Sequence, residues 1–253
     1  LEYQEQNSFL MFYLYAAAAV RMGAMQRLQV IHAATHDSIG IGHLGPTHQP
    51  LEVAALFRAM PNLLYIRPGD TEETAGAWIV AIRSKNTPSI ISTSRHKLPQ
   101  LVGRTNRAGV ANGAYILEES SKADVTLIGV GGELGMAAQV AEMLRLRFGR
   151  RVRLVSFPCH RLFESQPLSY RRQVLGHNSG IPIVVIEPYV ALGWERYCNA
   201  AVCMSTMRYG HSLPSDDTYK MFGFEITGIA TKITEYLNGI ERKELHITEF
   251  CEL

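Results

Sequence analysis

The sequence has 253 residues, 47% hydrophobic and 19% charged, enough apolar material for two domains with their own cores or for one large one. A net charge of +2 gives no electrostatic case for nucleic acid or an acidic membrane as partner. No run of about 18 apolar residues marks a membrane span. The longest candidate, Phe9 to Met25, is broken by Arg21 and Gly23 and reads as a buried helix. The opening Leu1-Glu2-Tyr3-Gln4 has neither a basic region nor a cleavage site, so it is not read as a signal peptide but as the interior of a longer chain. Cys159, Cys198, Cys203 and Cys251 match neither a zinc spacing nor a disulfide framework; buried reduced thiols are expected.

In chain order, Asn7 to Gln29 is predicted as a helix rich in alanine and aromatics. Phe9, Phe12 and Tyr15 recur every three residues, which puts their rings on one helical face. Such a face either packs a core or walls a flat heteroaromatic ligand. Leu28 to Thr35 is predicted as a buried strand, and Thr35 to Pro50 as a loop carrying His36, His43 and His48 with Gly40, Gly42 and Gly45 between them. Imidazoles move protons near neutral pH, and glycines let a backbone turn sharply against a ligand. At the carboxyl end of a strand in an α/β domain, that combination marks a candidate site; the bland alternative is a surface loop with local hydrogen bonds.

Leu51 to Met60 is predicted as a helix stopped near Pro61, and Leu63 to Arg67 as a short strand. Asp70 with Glu73 forms a capping box ahead of a helix from Thr71 to Ser84. Ser89 to Ser94 is a strand, and Arg95 and His96 stand at its carboxyl end, either as an anion-binding pair or as solvated surface. Gly113 to Glu118 is a further strand. The polar stretch Glu118 to Ala123 reads as a linker, dividing the chain into domains 1–120 and 121–253.

The pattern then restarts. Val125 to Val130, a Gly131-Gly132 turn, Leu134 to Phe148 and Val152 to Phe157 form a βαβ unit. The turn is not a dinucleotide fingerprint, because the final glycine is absent. Ile183 to Glu187 is a strand, about Leu192 to Ala201 a helix, and Asp216 to Phe222 and Thr227 to Leu237 terminal helices. Lys243 to Leu253 reads as a tail. Two consecutive three-layer α/β domains with mostly parallel sheets result. The first starts on a helix, without an opening strand.

These residues resemble a known family. Ala34-Thr35-His36-Asp37-Ser38-Ile39-Gly40, followed by Gly45-Pro46-Thr47-His48-Gln49-Pro50, is similar to the signature of transketolases. The likeness continues through Phe57-Arg58, Arg67-Pro68, Pro88-Ser89-Ile90-Ile91 and Ser94-Arg95. Cys159-His160-Arg161-Leu162-Phe163, Tyr170-Arg171-Arg172-Gln173-Val174-Leu175 and Gly193-Trp194-Glu195-Arg196-Tyr197 resemble the dihydroxyacetone synthase branch, which uses formaldehyde. The resemblance covers the later part of the family's pyrimidine-binding domain and its carboxyl-terminal domain. It implies transfer of a two-carbon ketol unit from a ketose donor to an aldehyde acceptor with thiamine diphosphate. Mg2+ or Ca2+ and the diphosphate would be held by a domain not in this chain.

By the same resemblance, Phe9, Phe12 and Tyr15 match the aromatic pocket for the aminopyrimidine. His36 matches a donor-binding histidine, His48 a histidine near the cofactor's amino group and the reacting carbons, and Arg95 the arginine that grips a substrate phosphate. His36 and His48 are thus the catalytic candidates. Leu44 stands where transketolases carry an aspartate that reads a donor hydroxyl, a bond that leucine cannot accept. Nothing ahead of Phe9 matches the motif of the family's catalytic glutamate. The expected partner is a second chain bearing the diphosphate-binding domain, in a hetero-oligomer or a dimer of such pairs. A non-catalytic regulatory or assembly module is the alternative. A cytoplasmic location is expected; Cys251-Glu252-Leu253 only faintly echoes a peroxisomal address.

Overall fold

A computed structural model describes residues 4–176 and 180–253. The first sheet is built from β1 (Gln4–Phe9), β2 (Val30–Thr35), β3 (Leu64–Ile66) and β4 (Ser89–Thr93), in the order β1-β2-β4-β3, all parallel. Helices α1 (Tyr13–Met25), α2 (Val53–Ala59) and α3 (Thr71–Arg83) make the crossovers, and a short α4 (Arg107–Val110) follows. In β2 and β4, Ile31, Ala34, Ile90 and Ile91 are buried, as strands sandwiched between helices require. Apolar clusters lie on both faces, one around Leu10, Phe57 and Tyr65, the other around Ile31, Ile66 and Ala77.

The chain does not open on the predicted helix. Gln4–Phe9 is an edge strand in register with Val30–Thr35; a helical turn at Leu10–Phe12 then leads into α1. Gln6, Asn7 and Ser8 are exposed, so the strand carries no apolar alternation. Polar residues on an edge strand discourage further pairing, and they also hide it from hydrophobic periodicity. Phe9 therefore ends a strand, Phe12 ends a helical turn, and only Tyr15 lies on a regular helix. The single helical face predicted for the three rings does not exist.

The second sheet contains β5 (Tyr115–Glu118), β6 (Val125–Gly129), β7 (Val152–Ser156), β8 (Ile183–Ile186), β9 (Ala200–Val202) and β10 (Cys251–Glu252). Its order is β10-β9-β8-β6-β7-β5, and only β5 runs antiparallel. The helices are α5 (Leu134–Phe148), α6 (His160–Glu164), α7 (Leu168–Leu175), α8 (Ser215–Met221) and α9 (Ile226–Glu241). Helix α5 ends at Gly149 in the left-handed region, and α9 packs Ile229, Ile233 and Leu237 into the core that α5 shares.

Three stretches differ from expectation. Tyr115–Glu118 already belongs to the second sheet, so the polar stretch after it turns the chain from β5 to β6 inside that sheet. The predicted helix over 192–201 is a helical turn at Trp194–Arg196 followed by β9, because Ala200, Ala201 and Val202 take up the ladder of β8. The predicted tail returns as β10 against β9, with the Leu253 amide donating to the Ala201 carbonyl at 2.8 Å. The four cysteines are free thiols, two buried and two half-buried.

The two sheets share cores. Ile39 and Leu51 from the first unit pack into the main cluster of the second, while Tyr189 packs into the first unit's cluster. The predicted capping box is present. Asp70 accepts from the Glu73 amide at 3.0 Å, and Glu73 accepts from the Gly69 amide at 2.7 Å. Asp70 also accepts from Thr105 Oγ1 at 2.6 Å and from the Leu101 amide at 3.3 Å. Asp70→Ala removes a cap and strands two further donors, so it should lower stability by about 2 kcal/mol, measured by urea denaturation.

Candidate active site

Strand register gathers the candidate residues. Phe9 pairs with Thr35 and Thr35 with Thr93, so the carboxyl ends of β1, β2 and β4 finish side by side. His36 follows β2 directly, and Ser94 and Arg95 follow β4. This is the edge at which parallel α/β sheets bind ligands.

The His36 ring lies against Phe9, with centroids 4.0 Å apart and planes tilted by 34°. His48 lies 5.9 Å from Phe9 and 4.9 Å from Phe12, and the two phenylalanines are 5.7 Å apart. Two imidazoles and two phenyl rings thus form one half-buried cluster. Tyr15 extends it, 6.4 Å from Phe12, but is 91% exposed and contributes a rim rather than a wall. His48 Nδ1 is engaged by Thr47 Oγ1 at 2.8 Å, which leaves Nε2 for proton exchange. The Arg95 guanidinium lies beside the loop, with Nη1 3.8 Å from where a Cβ on Gly42 would stand. Leu44 is 40% exposed and, being aliphatic, offers no acceptor. His43 is exposed, and its carbonyl rather than its ring is held, by Ser212 Oγ at 2.7 Å.

Burial pulls the His36 pKa below its ordinary 6.5, and the positive Arg95 and nearby His48 pull it further. His36 is accordingly a neutral imidazole at pH 7, able to accept or relay a proton. The Phe9–Phe12 surface, open on one side, suits a flat heteroaromatic ring; two imidazoles at its edge suit polar atoms on that ring. The ring half of a thiamine-type cofactor therefore fits the residues present. Among the described residues, no group of three or more His, Cys, Asp or Glu is arranged to hold a metal ion.

Behind the loop lies a buried charge cluster to which the sequence reading assigned no function. Arg67, fully buried at the end of β3, donates through Nε to Asp37 at 2.9 Å, through Nη2 to Glu133 at 2.5 Å and through Nη1 to Glu187 at 3.0 Å. Glu187 is also gripped by both Nη atoms of Arg58 at 2.8 Å and by Trp194 Nε1 at 2.7 Å. Burial opposes the charge on Arg67, but Glu133 and its other partners outweigh this and hold its pKa well above the ordinary value. Glu133 is pushed up by burial, and Glu187 is held low by the two arginines against the effect of burial.

Comparison with known proteins places the chain. Residues 6–100 match the transketolase pyrimidine-binding domain, and residues 113–225 match the transketolase-like carboxyl-terminal domain. Dihydroxyacetone synthase of Candida boidinii is 47% identical over 98% of this chain and 34% of its own. Transketolase from Leishmania mexicana superposes with a TM-score of 0.87 at 42% identity, over 92% of this chain and 34% of its own. A structure titled as a split-gene transketolase, an inactive beta4 tetramer, superposes with a TM-score of 0.71 over 92% of this chain and 75% of its own. At 19% identity that last likeness shows shared fold only. The chain spans about a third of the length of the curated dihydroxyacetone synthases that it matches.

The local electrostatics give a direct test. In an NMR titration His36 should have its midpoint below 6.5, and Arg95→Ala should raise that midpoint, because a neighbouring positive charge no longer opposes protonation.

Proposed function

The chain belongs to the transketolase family, and on that premise we propose that it is part or a subunit of an enzyme dependent on thiamine diphosphate. That enzyme moves a two-carbon ketol unit from a ketose donor to an aldehyde acceptor. The observation that carries the reading is the Phe9–Phe12–His36–His48 cluster at the carboxyl ends of the first sheet, with Arg95 beside it. The diphosphate and its Mg2+ or Ca2+ belong to a domain outside this sequence. The chain's span of a third of its relatives supports a partner or a further segment.

When bound, thiamine diphosphate supplies the carbon nucleophile and the electron sink. The chain's own residues hold and protonate. Phe9 and Phe12 would lie against the aminopyrimidine ring and orient it, with the exposed Tyr15 at the rim. His48, its Nδ1 held by Thr47, moves protons through Nε2 at the reacting oxygen. His36, kept neutral, accepts from a donor hydroxyl. Arg95 binds the anionic end of a sugar phosphate. Leu44 removes one acceptor from the donor subsite, which weakens selection for donors bearing the corresponding hydroxyl.

Three measurements test the reading. The purified chain should show no ketol transfer alone and should gain it with a partner carrying the diphosphate-binding domain, thiamine diphosphate and Mg2+. Turnover by the lone chain would overturn the partner requirement. Failure of every combination would favour a non-catalytic module. In the active assembly, Phe12→Ala should weaken thiamine diphosphate binding about tenfold by calorimetry. Arg95→Ala should raise KM for a phosphorylated donor by about ten- to a hundredfold while barely changing KM for an unphosphorylated one.

A further inference from the structure

The Thr35 to Pro50 loop is held in good part from outside its own unit. Ser215 Oγ donates to the Gly40 carbonyl at 2.8 Å, and Ser212 Oγ to the His43 carbonyl at 2.7 Å. Gln49 Nε2 bridges the Ile39 and His211 carbonyls at 2.9 and 3.1 Å, tying the loop's two arms to the second unit. The Tyr219 hydroxyl lies 2.9 Å from Ser38 Oγ, and its ring covers Gly40 so closely that a Cβ there would stand 2.4 Å from Cε2.

The most consequential contact is at Asp37. His36 has φ of +65°, a backbone conformation uncommon for a residue with a side chain. Its own side chain makes one long contact, Nδ1 to Thr35 Oγ1 at 3.3 Å, besides the tilted contact with Phe9. What fixes the turn is the next residue. The Asp37 carbonyl accepts from the Tyr189 hydroxyl and, at 3.4 Å, from Arg67 Nη2; its carboxylate accepts from Arg67 Nε. Tyr189 follows β8, its ring lies 4.4 Å from the Arg67 guanidinium, and its hydroxyl meets that of Tyr65 at 3.3 Å. Burial pushes the Tyr189 pKa well above its ordinary value, so the phenol stays a donor at any working pH.

We propose that the second unit sets the geometry of the histidine loop, with Tyr189 as the positioning residue that holds His36 in its turn against Phe9, and Ser212 and Ser215 as secondary anchors. The inference rests on the functional reading only in giving His36 a task. The placement itself is independent of turnover. The carboxyl-terminal unit, which contributes none of the assigned site residues, thereby enters the chemistry through the loop backbone.

The test uses the full chain and reads the histidines directly. Tyr189→Phe deletes the donor and keeps the ring. It should shift the His36 imidazole resonances and raise the His36 titration midpoint toward its ordinary value, as the ring leaves its half-buried place against Phe9. Tyr170→Phe is the control, since it removes a comparable hydroxyl-to-carbonyl bond, to Ala114 at 2.9 Å, within the second unit. It should leave the histidines unmoved. Should Tyr189→Phe fail to fold, the double variant Ser212→Ala with Ser215→Ala carries the test, with displaced imidazole resonances expected at His43 and His36. Histidine resonances and midpoints matching the parent in every variant that folds would overturn the proposal. In the active assembly Tyr189→Phe should lower kcat about tenfold with KM changed less than about twofold. Absence of turnover in the parent assembly would overturn the functional reading and leave the NMR result standing.

Discussion

Arg67 is the residue on which the two units converge. Its guanidinium has five N–H groups and makes five contacts: Asp37 Oδ2, the Asp37 carbonyl, Glu133, Glu187 and the Val130 carbonyl. In the second sheet, β6 is flanked by β7 and β8, the arrangement in which a doubly wound domain turns back on itself and leaves a crevice at the carboxyl ends of its strands. Here that crevice is filled by an arginine of the first unit. Gly131, at φ of +54°, marks the approach: a Cβ there would stand 2.4 Å from Arg67 Cγ. A place where such folds often bind a small molecule has become a socket for the neighbouring unit.

The energetics of the socket favour specificity over strength. Three carboxylates, Asp37, Glu133 and Glu187, surround two arginines, Arg58 and Arg67. Desolvating such a group consumes much of the attraction it gains, and apolar replacements for buried ion pairs are often as stable. Loss of one partner, however, leaves a buried charge unmatched at a cost of about 3–5 kcal/mol. A cluster of this kind penalises wrong docking more than it rewards right docking. The surplus acid is consistent with the raised pKa of Glu133, which shares Oε1 with the hydroxyls of Ser38 and Tyr219 at 2.6 Å. The ordinary hydrophobic drive comes from elsewhere, through Ile39 and Leu51 packed into the second core and Tyr189 into the first.

Legibility in the sequence followed the range of the interaction. Strands buried on both faces, such as Val125–Gly129, announce themselves as apolar runs, and the Asp70–Glu73 capping box is a three-residue signal. The histidine loop was visible because glycine and histidine alternate within sixteen positions. The edge strand Gln4–Phe9 was not, because its stability comes from a ladder to Val30–Thr35 and its exposed side chains are polar. The strand Ala200–Val202 was misread as helix because alanine fits either state and only the neighbouring Ile183–Ile186 ladder decides. The helices His160–Glu164 and Leu168–Leu175 are shorter than the window of about 11 residues over which helical periodicity is read. In the sequence Arg67 stands out only as the end of a strand and as part of a resemblance. Its acidic partners lie 30, 66 and 120 positions away, and nothing local tells a buried arginine from a solvated one.

The arrangement separates rigidity from chemistry along a single chain segment. His36 is half-buried and faces the ring cluster, whereas Asp37, the next residue, is buried in the charge cluster with its backbone and side chain both tied to Arg67. A left-handed turn between them sends consecutive side chains to opposite sides of the loop, one toward the candidate ligand surface and one toward the socket. Reactive groups need access and some freedom to exchange protons. Their supports need neither, and are best locked where water cannot compete for their hydrogen bonds. By seating Arg67 in the second sheet, the fold places the rigid side of that turn at the junction of two cores. The exposure of Tyr15 and Leu44 is then no defect of packing. It is the open side of the candidate site, whose closed side is tied into the charge cluster.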